Sequence, residues 1–449
     1  MIEIAEGSRL SNSNNRLPPG PGGSKLLNTL QVLRNPQKAF SKWFERYGDP
    51  FLVHALNGPI VITGNPELVK QVFSHNAADF DAFGKRALVP TLGAGSMLAI
   101  DGEPHRQERK LMMPMFHGQR MKSYGDIVRQ ATLAKMQEQE SATSFHMLDV
   151  TTAVSLQVII EAILGSQDED STLRLMRLAR ETIRRSLPIL FFSPRTQVSF
   201  FGLSPWDRFL EARKQLRNAF DEELSRRKQN PKPSEDVFSL LMDARYEDGS
   251  GMSSDRMFDE LGTFLFAGHE TSAIAMAWAT YFLLSAPHKL EKLKEELASC
   301  DANDPAELAK QPYLKAVVSE TLRLNPIVTE VLRVLNKPME FAGYQLPAGV
   351  AIAPATVAVH YNEEIYPDAK AFVPERFLER NFASNEYFPF GGGARRCAGS
   401  AFALYEMTIA LGTIFSKYDL ELLESRPVRP VRRNVTMGPS SGVRVVIQA

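Results

Sequence analysis

The segment Phe390-Gly391-Gly392-Gly393-Ala394-Arg395-Arg396-Cys397-Ala398-Gly399 carries the residue with the most chemical promise. Consecutive glycines let the backbone fold tightly and let a planar ligand approach. Cys397 stands where a following helix begins, and there the helix dipole and free N–H groups favour a thiolate over a thiol. A lone cysteine after a glycine-rich turn is more often buried and inert, so its companions must make the case. Glu320 and Arg323, in Glu320-Thr321-Leu322-Arg323, share one helix face at i and i+3, and Arg376 follows in Pro374-Glu375-Arg376-Phe377. Three charged groups inside a core need mutual pairing; taken alone, Glu-x-x-Arg is usually a surface pair. In Ala267-Gly268-His269-Glu270-Thr271-Ser272, Gly268 weakens the helix locally and leaves room beside it. Thr271 offers a hydroxyl to a helix carbonyl or a bound molecule, and Glu270 can feed protons through water. His269 is read as structural. His105 and Arg109, at i and i+4, add cations, as do Arg333 and Arg395; arginine suits bidentate contact with a carboxylate.

The elements that must position these groups follow from pattern and punctuation. The chain has 449 residues, 44% of them apolar and 23% charged, with 52 basic and 52 acidic side chains. That balance fits a globular protein with a sizeable core and argues against a general nucleic-acid binder. Its two cysteines, Cys300 and Cys397, allow no disulfide framework and favour a reducing, cytoplasmic setting. Residues 1–24 read as a flexible tail ending in a Pro/Gly-rich stretch, without a signal peptide or membrane anchor; residues 25–449 read as a single domain. Ser253 or Ser254 caps a helix that can run to Ser285, about 48 Å at the usual rise. Its apolar part, Thr263 to Leu284, holds His269 and Glu270, which disfavours a membrane span and favours a buried core helix. Helices are also expected at Pro36–Tyr47, Pro287–Ser299, Pro312–Leu324 and from Cys397 to about Lys417. Asn57-Gly58 signals a hairpin, and short β-like runs follow Pro326. The expected class is mainly α with a smaller β-rich part.

In this order, the motifs resemble those of the cytochrome P450 family over nearly the whole chain. Phe390, Gly393, Arg395, Cys397 and Gly399 match its haem-binding signature. The resemblance implies the P450 fold and heme b, iron protoporphyrin IX, with Cys397 as the thiolate metal ligand, whose electron donation helps O–O cleavage. It implies a buried network of Glu320, Arg323 and Arg376 under the haem. It places Ala267, Glu270 and Thr271 beside the iron, Glu270 and Thr271 as the catalytic pair. His105, Arg109, Arg333 and Arg395 match contacts to the haem propionates. The implied reaction inserts one oxygen atom from O2 into a lipophilic substrate. NAD(P)H acts through redox partners, a ferredoxin or flavodoxin with its reductase. Alternatives are a peroxide-dependent haem hydroxylase, a haem rearrangement enzyme, or a non-catalytic haem-binding sensor; Thr271 with Glu270 favours the O2 route.

Substrate selectivity is expected, again by resemblance, from stretches that include Leu88, Leu98, Leu190, Val328, Val331 and Met437, with fatty acids or terpenoids as leading substrates. Lys85 and Arg86 are candidate anchors for a substrate carboxylate. Leu187, Leu190, Phe191, Phe192, Phe200 and Phe201 form an apolar cluster around proline breaks, readable as a lid, a weak membrane contact or ordinary core. Arg106, Lys110 and Arg396 read as unused cations for docking an acidic redox partner. The chain is expected to be a monomer.

Overall fold

Long helices wrap around the one that begins at Ser254. The computed structural model describes residues 17–116, 120–165, 169–187, 190, 194–231, 236–433 and 435–448. The Ser253 hydroxyl caps the long helix Ser254–Ser285 by accepting from the Arg256 N–H, and Pro287 opens the next helix, Pro287–Ala298. The flanking helices Met147–Leu164, Pro312–Leu324 and Ser400–Lys417 pack on the long helix. Val158, Ile274, Trp278, Leu314 and Ile409 from these four helices belong to one buried core. Burial from several sides explains why Thr263 to Leu284 is so apolar. Met147–Leu164 is the helix, among the described residues, long and apolar enough to cross a membrane, and 67% of it is buried inside the protein.

The smaller β part is divided, among the described residues, into separate small sheets. Strands β1 (Phe51–Ala55), β2 (Gly58–Thr63), β3 (Phe80–Ala82), β4 (Arg333–Leu335) and β5 (Ala351–Pro354) form a sheet of order β1-β2-β5-β4-β3. The two-residue turn Leu56-Asn57 joins β1 and β2 antiparallel, one position before the expected Asn57-Gly58, and Gly58, at φ 117, opens β2 opposite Ala55. Strands β6 (Pro430–Arg433) and β7 (Thr436–Pro439) form a separate hairpin, whose β7 packs on the long helix. Pro36–Tyr47 ends at Gly48, φ 81, as expected.

Two expectations change. The Pro/Gly-rich end of the segment 1–24 is packed rather than flexible. The Leu52 N–H donates to Pro19 O at 2.9 Å, and a side chain at Gly20 would collide with the Leu52 carbonyl. Residues 1–16 lie outside the described residues. The cluster from Leu187 to Phe201 also divides. Leu190 is buried with Leu92, Trp206 and Phe209, whereas Leu187, Phe200 and Phe201 are exposed. Phe191 and Phe192 lie outside the described residues.

Candidate functional site

The glycine loop is shaped by what presses on it. Gly391 and Gly393 adopt φ 67 and φ 64, which other residues rarely tolerate. A Cβ on Gly392 would fall 2.3 Å from the Phe73 ring and one on Gly393 2.4 Å from the Phe73 carbonyl oxygen. The Cys397 N–H donates to Phe390 O at 2.9 Å, closing the loop. Gly399 is the N-cap of Ser400–Lys417, so Cys397 stands just ahead of that helix. Cys397 is exposed, yet the chain enclosing it pushes its thiol pKa up. It therefore faces interior space rather than the outer surface. The Gly399 N–H and the charges of Arg109 and Arg396 pull the pKa the other way, without winning. Enclosure thus opposes the expected bias towards a free thiolate. A thiolate here calls for a cation at the sulfur itself, which is what a metal ligand receives.

The cations converge on the same loop. Arg395 donates to Ile100 O at 2.6 Å and to Asp101 Oδ1 at 2.5 Å. Arg333 donates to Gly392 O at 3.4 Å. His105 is buried, and burial, then Arg395, Arg109 and Arg333, push its pKa down to about 4. Burial and Arg395 bring Arg333 down to about 10. Among the described residues, Asp101 is the carboxylate paired with this group, and Lys85 also claims it at 2.7 Å. Partly buried cations with so little countercharge fit a ligand bearing carboxylates. Asp101 itself was not singled out from sequence; its clamp on Arg395, Lys85 and the Ala82 N–H has no sequence signature.

Glu320 and Arg323 are fully buried and paired through two bonds of 2.7 and 2.8 Å. Arg323 also donates to the carbonyls of His360, Ala369 and Ala371. Arg376 reaches Glu320 at 3.3 Å. The structure adds His360. Its Nδ1–H donates to Arg323 O at 3.2 Å, while its Nε2 accepts from the Phe388 N–H at 3.1 Å. Burial first, then Arg323, push its pKa down to about 3, so it stays neutral. The charged network is thus tied to the start of the cysteine loop.

On the long helix, Ala267 is exposed and Thr271 half-buried although much of the helix is buried. The Thr271 hydroxyl donates to Ala267 O at 2.9 Å. Gly268 serves a different purpose from the one expected. Its Cβ would meet Ile159 Cδ1 at 3.0 Å, so glycine lets Met147–Leu164 approach closely. The helix runs unbroken through it. The His269 Nδ1–H donates to Leu265 O at 2.7 Å, and burial lowers its pKa, as suits a structural histidine. Glu270 lines a recess of about 330 Å³ with Asp149, Thr152, His269 and Arg433. Glu406, also unsignalled in sequence, is buried beside the Ser155 and Ser272 hydroxyls; burial pushes it up to about 7.

The expected pocket residues fall into groups. Leu88 and Leu190 join one apolar cluster with Leu92, Phe209 and Phe266. Val331 lies across from Gly391, whose Cβ would meet it at 3.6 Å, and Met437 donates its N–H to Ile327 O at 2.9 Å beside Val328. Val328 and Leu98 are exposed. Three charge assignments are corrected. Lys85 is bound to Asp101, Arg106 forks onto Glu103, and Lys110 pairs with Glu247 at 2.6 Å. Arg396 remains exposed without a carboxylate partner among the described residues.

Comparison with known proteins agrees over the whole length. The family model described as cytochrome P450 matches residues 18–444. A "Putative cytochrome P450 135B1" of Mycobacterium tuberculosis (strain ATCC 25618 / H37Rv) is 32% identical over 445 residues, 96% of this chain and 92% of that protein. A "Putative cytochrome P450 138" of the same strain is 31% identical over 438 residues, 96% of each. A solved structure described as "Retinoic acid bound cyanobacterial CYP120A1" superposes with a TM-score of 0.84 at 24% identity, covering 97% of this chain and 100% of that one.

Proposed function

The chain belongs to the cytochrome P450 family, a haem-thiolate monooxygenase by that membership, and from this premise we propose how its own residues carry the reaction and what it acts upon. The observation that carries the reading is Cys397, enclosed yet open to interior space, with His105, Arg109, Arg333 and Arg395 converging on its loop. When bound, haem supplies the activation of O2 and the transfer of one oxygen atom to substrate. Cys397 would hold the iron, and Phe390 and Gly399 shape its loop from either side. Arg109, Arg333, Arg395 and a neutral His105 N–H would receive the propionates, and Ala267 would leave room for the ring.

Thr271 and Glu270 are the proposed proton path. The Thr271 hydroxyl proton is committed to Ala267 O, so Oγ1 keeps lone pairs that could accept from a proton donor. Glu270 stands in an open recess and can exchange protons with solvent. In Thr271→Ala, haem and substrate binding should persist. The product formed per NAD(P)H consumed should fall and peroxide release should rise, since positioned acid–base help is worth about a hundredfold or more. Unchanged coupling would remove the role and revive a peroxide-dependent reading.

The proposed substrate is lipophilic, a fatty acid or terpenoid, because the residues expected around the pocket, Leu88, Leu98, Leu190, Val328, Val331 and Met437, are all apolar. A shift of the haem absorption band on adding such compounds is the direct check. Electrons are proposed to come from a ferredoxin or flavodoxin with its reductase. Two cysteines cannot ligate a cluster that uses four. With Arg106 and Lys110 engaged by carboxylates, Arg396 next to Cys397 is the best remaining docking cation. Arg396→Glu should slow reduction at low ionic strength, with the difference shrinking as salt is added. Equal rates at low salt would place docking elsewhere. Free thiols and the absence of a disulfide pair suit a cytoplasmic setting.

A further inference from the structure

Asp101 stands at the place of a helix cap, just ahead of Gly102–Met112, yet its side chain does not cap that helix. An aspartate there ordinarily accepts from the helix's own first N–H groups. Here the carboxylate reaches three other elements instead. Oδ1 accepts from the Ala82 N–H, at the end of β3, at 2.6 Å and from Arg395 Nη2 at 2.5 Å. Oδ2 accepts from Lys85 Nζ at 2.7 Å, at the start of the helix Lys85–Leu92. Arg395 gives the same Nη2 to Ile100 O at 2.6 Å. Both of its bonds therefore fall on one nitrogen. Nε and Nη1 donate to no protein atom among the described residues, so their N–H groups are left for a second acceptor. Asp101 and Arg395 are 15% and 14% exposed, so water screens this pair little, whereas Lys85 is 49% exposed.

We propose that Asp101 is a positioning residue that pins Arg395 for a haem propionate and, through its own charge, holds down the electron affinity of the haem. The inference rests on the haem-thiolate reading above. Asp101 and Ile100 O fix the guanidinium from one side, so its remaining N–H groups keep a set direction before any ligand arrives. The same carboxylate has an electrostatic effect at longer range. One electron from the redox partner takes the iron from ferric to ferrous, and a fixed negative charge nearby disfavours that gain. Asp101 is the carboxylate paired with Arg395 among the described residues, so it moderates the positive charge of Arg109, Arg333 and Arg395. Lys85 opposes it from the far oxygen. The two residues therefore act on the iron with opposite signs, which a purely structural staple would not do.

The test is a spectroelectrochemical titration of the haem-loaded full chain at low ionic strength. Asp101→Asn keeps an oxygen for the Ala82 N–H and Arg395 while removing the charge. At the potential where wild type is half reduced, its ratio of ferrous to ferric haem should rise about tenfold, or about 59 mV for a one-electron couple. Lys85→Met should move the midpoint the other way and by less, because its ammonium is half in water. Asp101→Ala removes charge and acceptor together. Its midpoint should rise as well, and it should lose haem to apomyoglobin several-fold faster than Asp101→Asn does. A midpoint of Asp101→Asn at or below that of wild type overturns the electrostatic role, as does a shift of Lys85→Met in the same direction as Asp101→Asn. Equal haem loss from the Ala and Asn variants overturns the positioning role. The Soret band of the reduced, carbon monoxide-treated protein is read in every sample. Its absence from wild type would sink the haem-thiolate reading itself, whereas a normal band with an unmoved midpoint sinks only the role of Asp101.

Discussion

Cys397→Ala is expected to abolish the red-shifted Soret band that the reduced, carbon monoxide-treated protein shows, and monooxygenase activity with it. The loop should survive the change. Its shape comes from Gly391, Gly393, the fit against Phe73 and the Cys397 N–H bond to Phe390 O, and none of these uses the sulfur. What is lost is the one atom that can be an anionic ligand at that point. The effect is all-or-none because the ligand cannot be replaced from nearby. Cys300, the other thiol, sits at the end of the helix Pro287–Ala298, its Sγ 3.5 Å from Leu297 O. Cys300→Ser should leave the spectrum as it is. An unchanged band in Cys397→Ala, or its loss in Cys300→Ser, would overturn the assignment.

The second large effect is on stability. Arg323→Met should lower the free energy of unfolding by about 3–5 kcal/mol, the usual cost of stranding one partner of a buried ion pair. Against a total of about 5–15 kcal/mol this is severe. Glu320 would remain buried with a charge that Arg376, at 3.3 Å, meets only in part. Three carbonyls, of His360, Ala369 and Ala371, would lose their donor. Arg323→Lys should recover little, because a single ammonium cannot span the carboxylate and three carbonyls at once. Arg376→Met should cost less, since Glu320 keeps both bonds from Arg323. Denaturant midpoints compare the three. A midpoint for Arg323→Met equal to that of wild type would show that the network does not hold this region together.

How much of this could be read beforehand depends on the range of the interactions. The boundaries of Ser254–Ser285 and Pro312–Leu324, and the hairpin at Asn57-Gly58 to within one position, were legible because a cap, a proline or a turn residue acts within a few positions. The cysteine loop and the Glu320–Arg323 pair were legible because their spacing is local. Asp101 and His360 were not. Each works through partners far along the chain, Arg395 in one case and Arg323 and Phe388 in the other, and nothing next to them in sequence announces it. Gly268 was noticed for the wrong reason, because only the fold shows Ile159 pressing on it. Lys85, Arg106 and Lys110 looked free because Asp101 and Glu247 are distant in sequence, and because a nearby carboxylate such as Glu103 is not evidence of pairing until geometry shows it.

The crowd of cations around Arg395 also bears on how long the protein lasts. Arg109, Arg333 and Arg395 crowd around a neutral His105, and Asp101 answers only part of their charge. A ligand that brings carboxylates binds the folded chain and not the unfolded one, so it raises stability by mass action. The gain is about 2.7 kcal/mol when free ligand exceeds its dissociation constant a hundredfold. The abundance of this protein should therefore follow the supply of haem as well as the rate of its synthesis. Chains made when haem is scarce would open more often and be cleared sooner by proteases, a form of quality control written into three arginines.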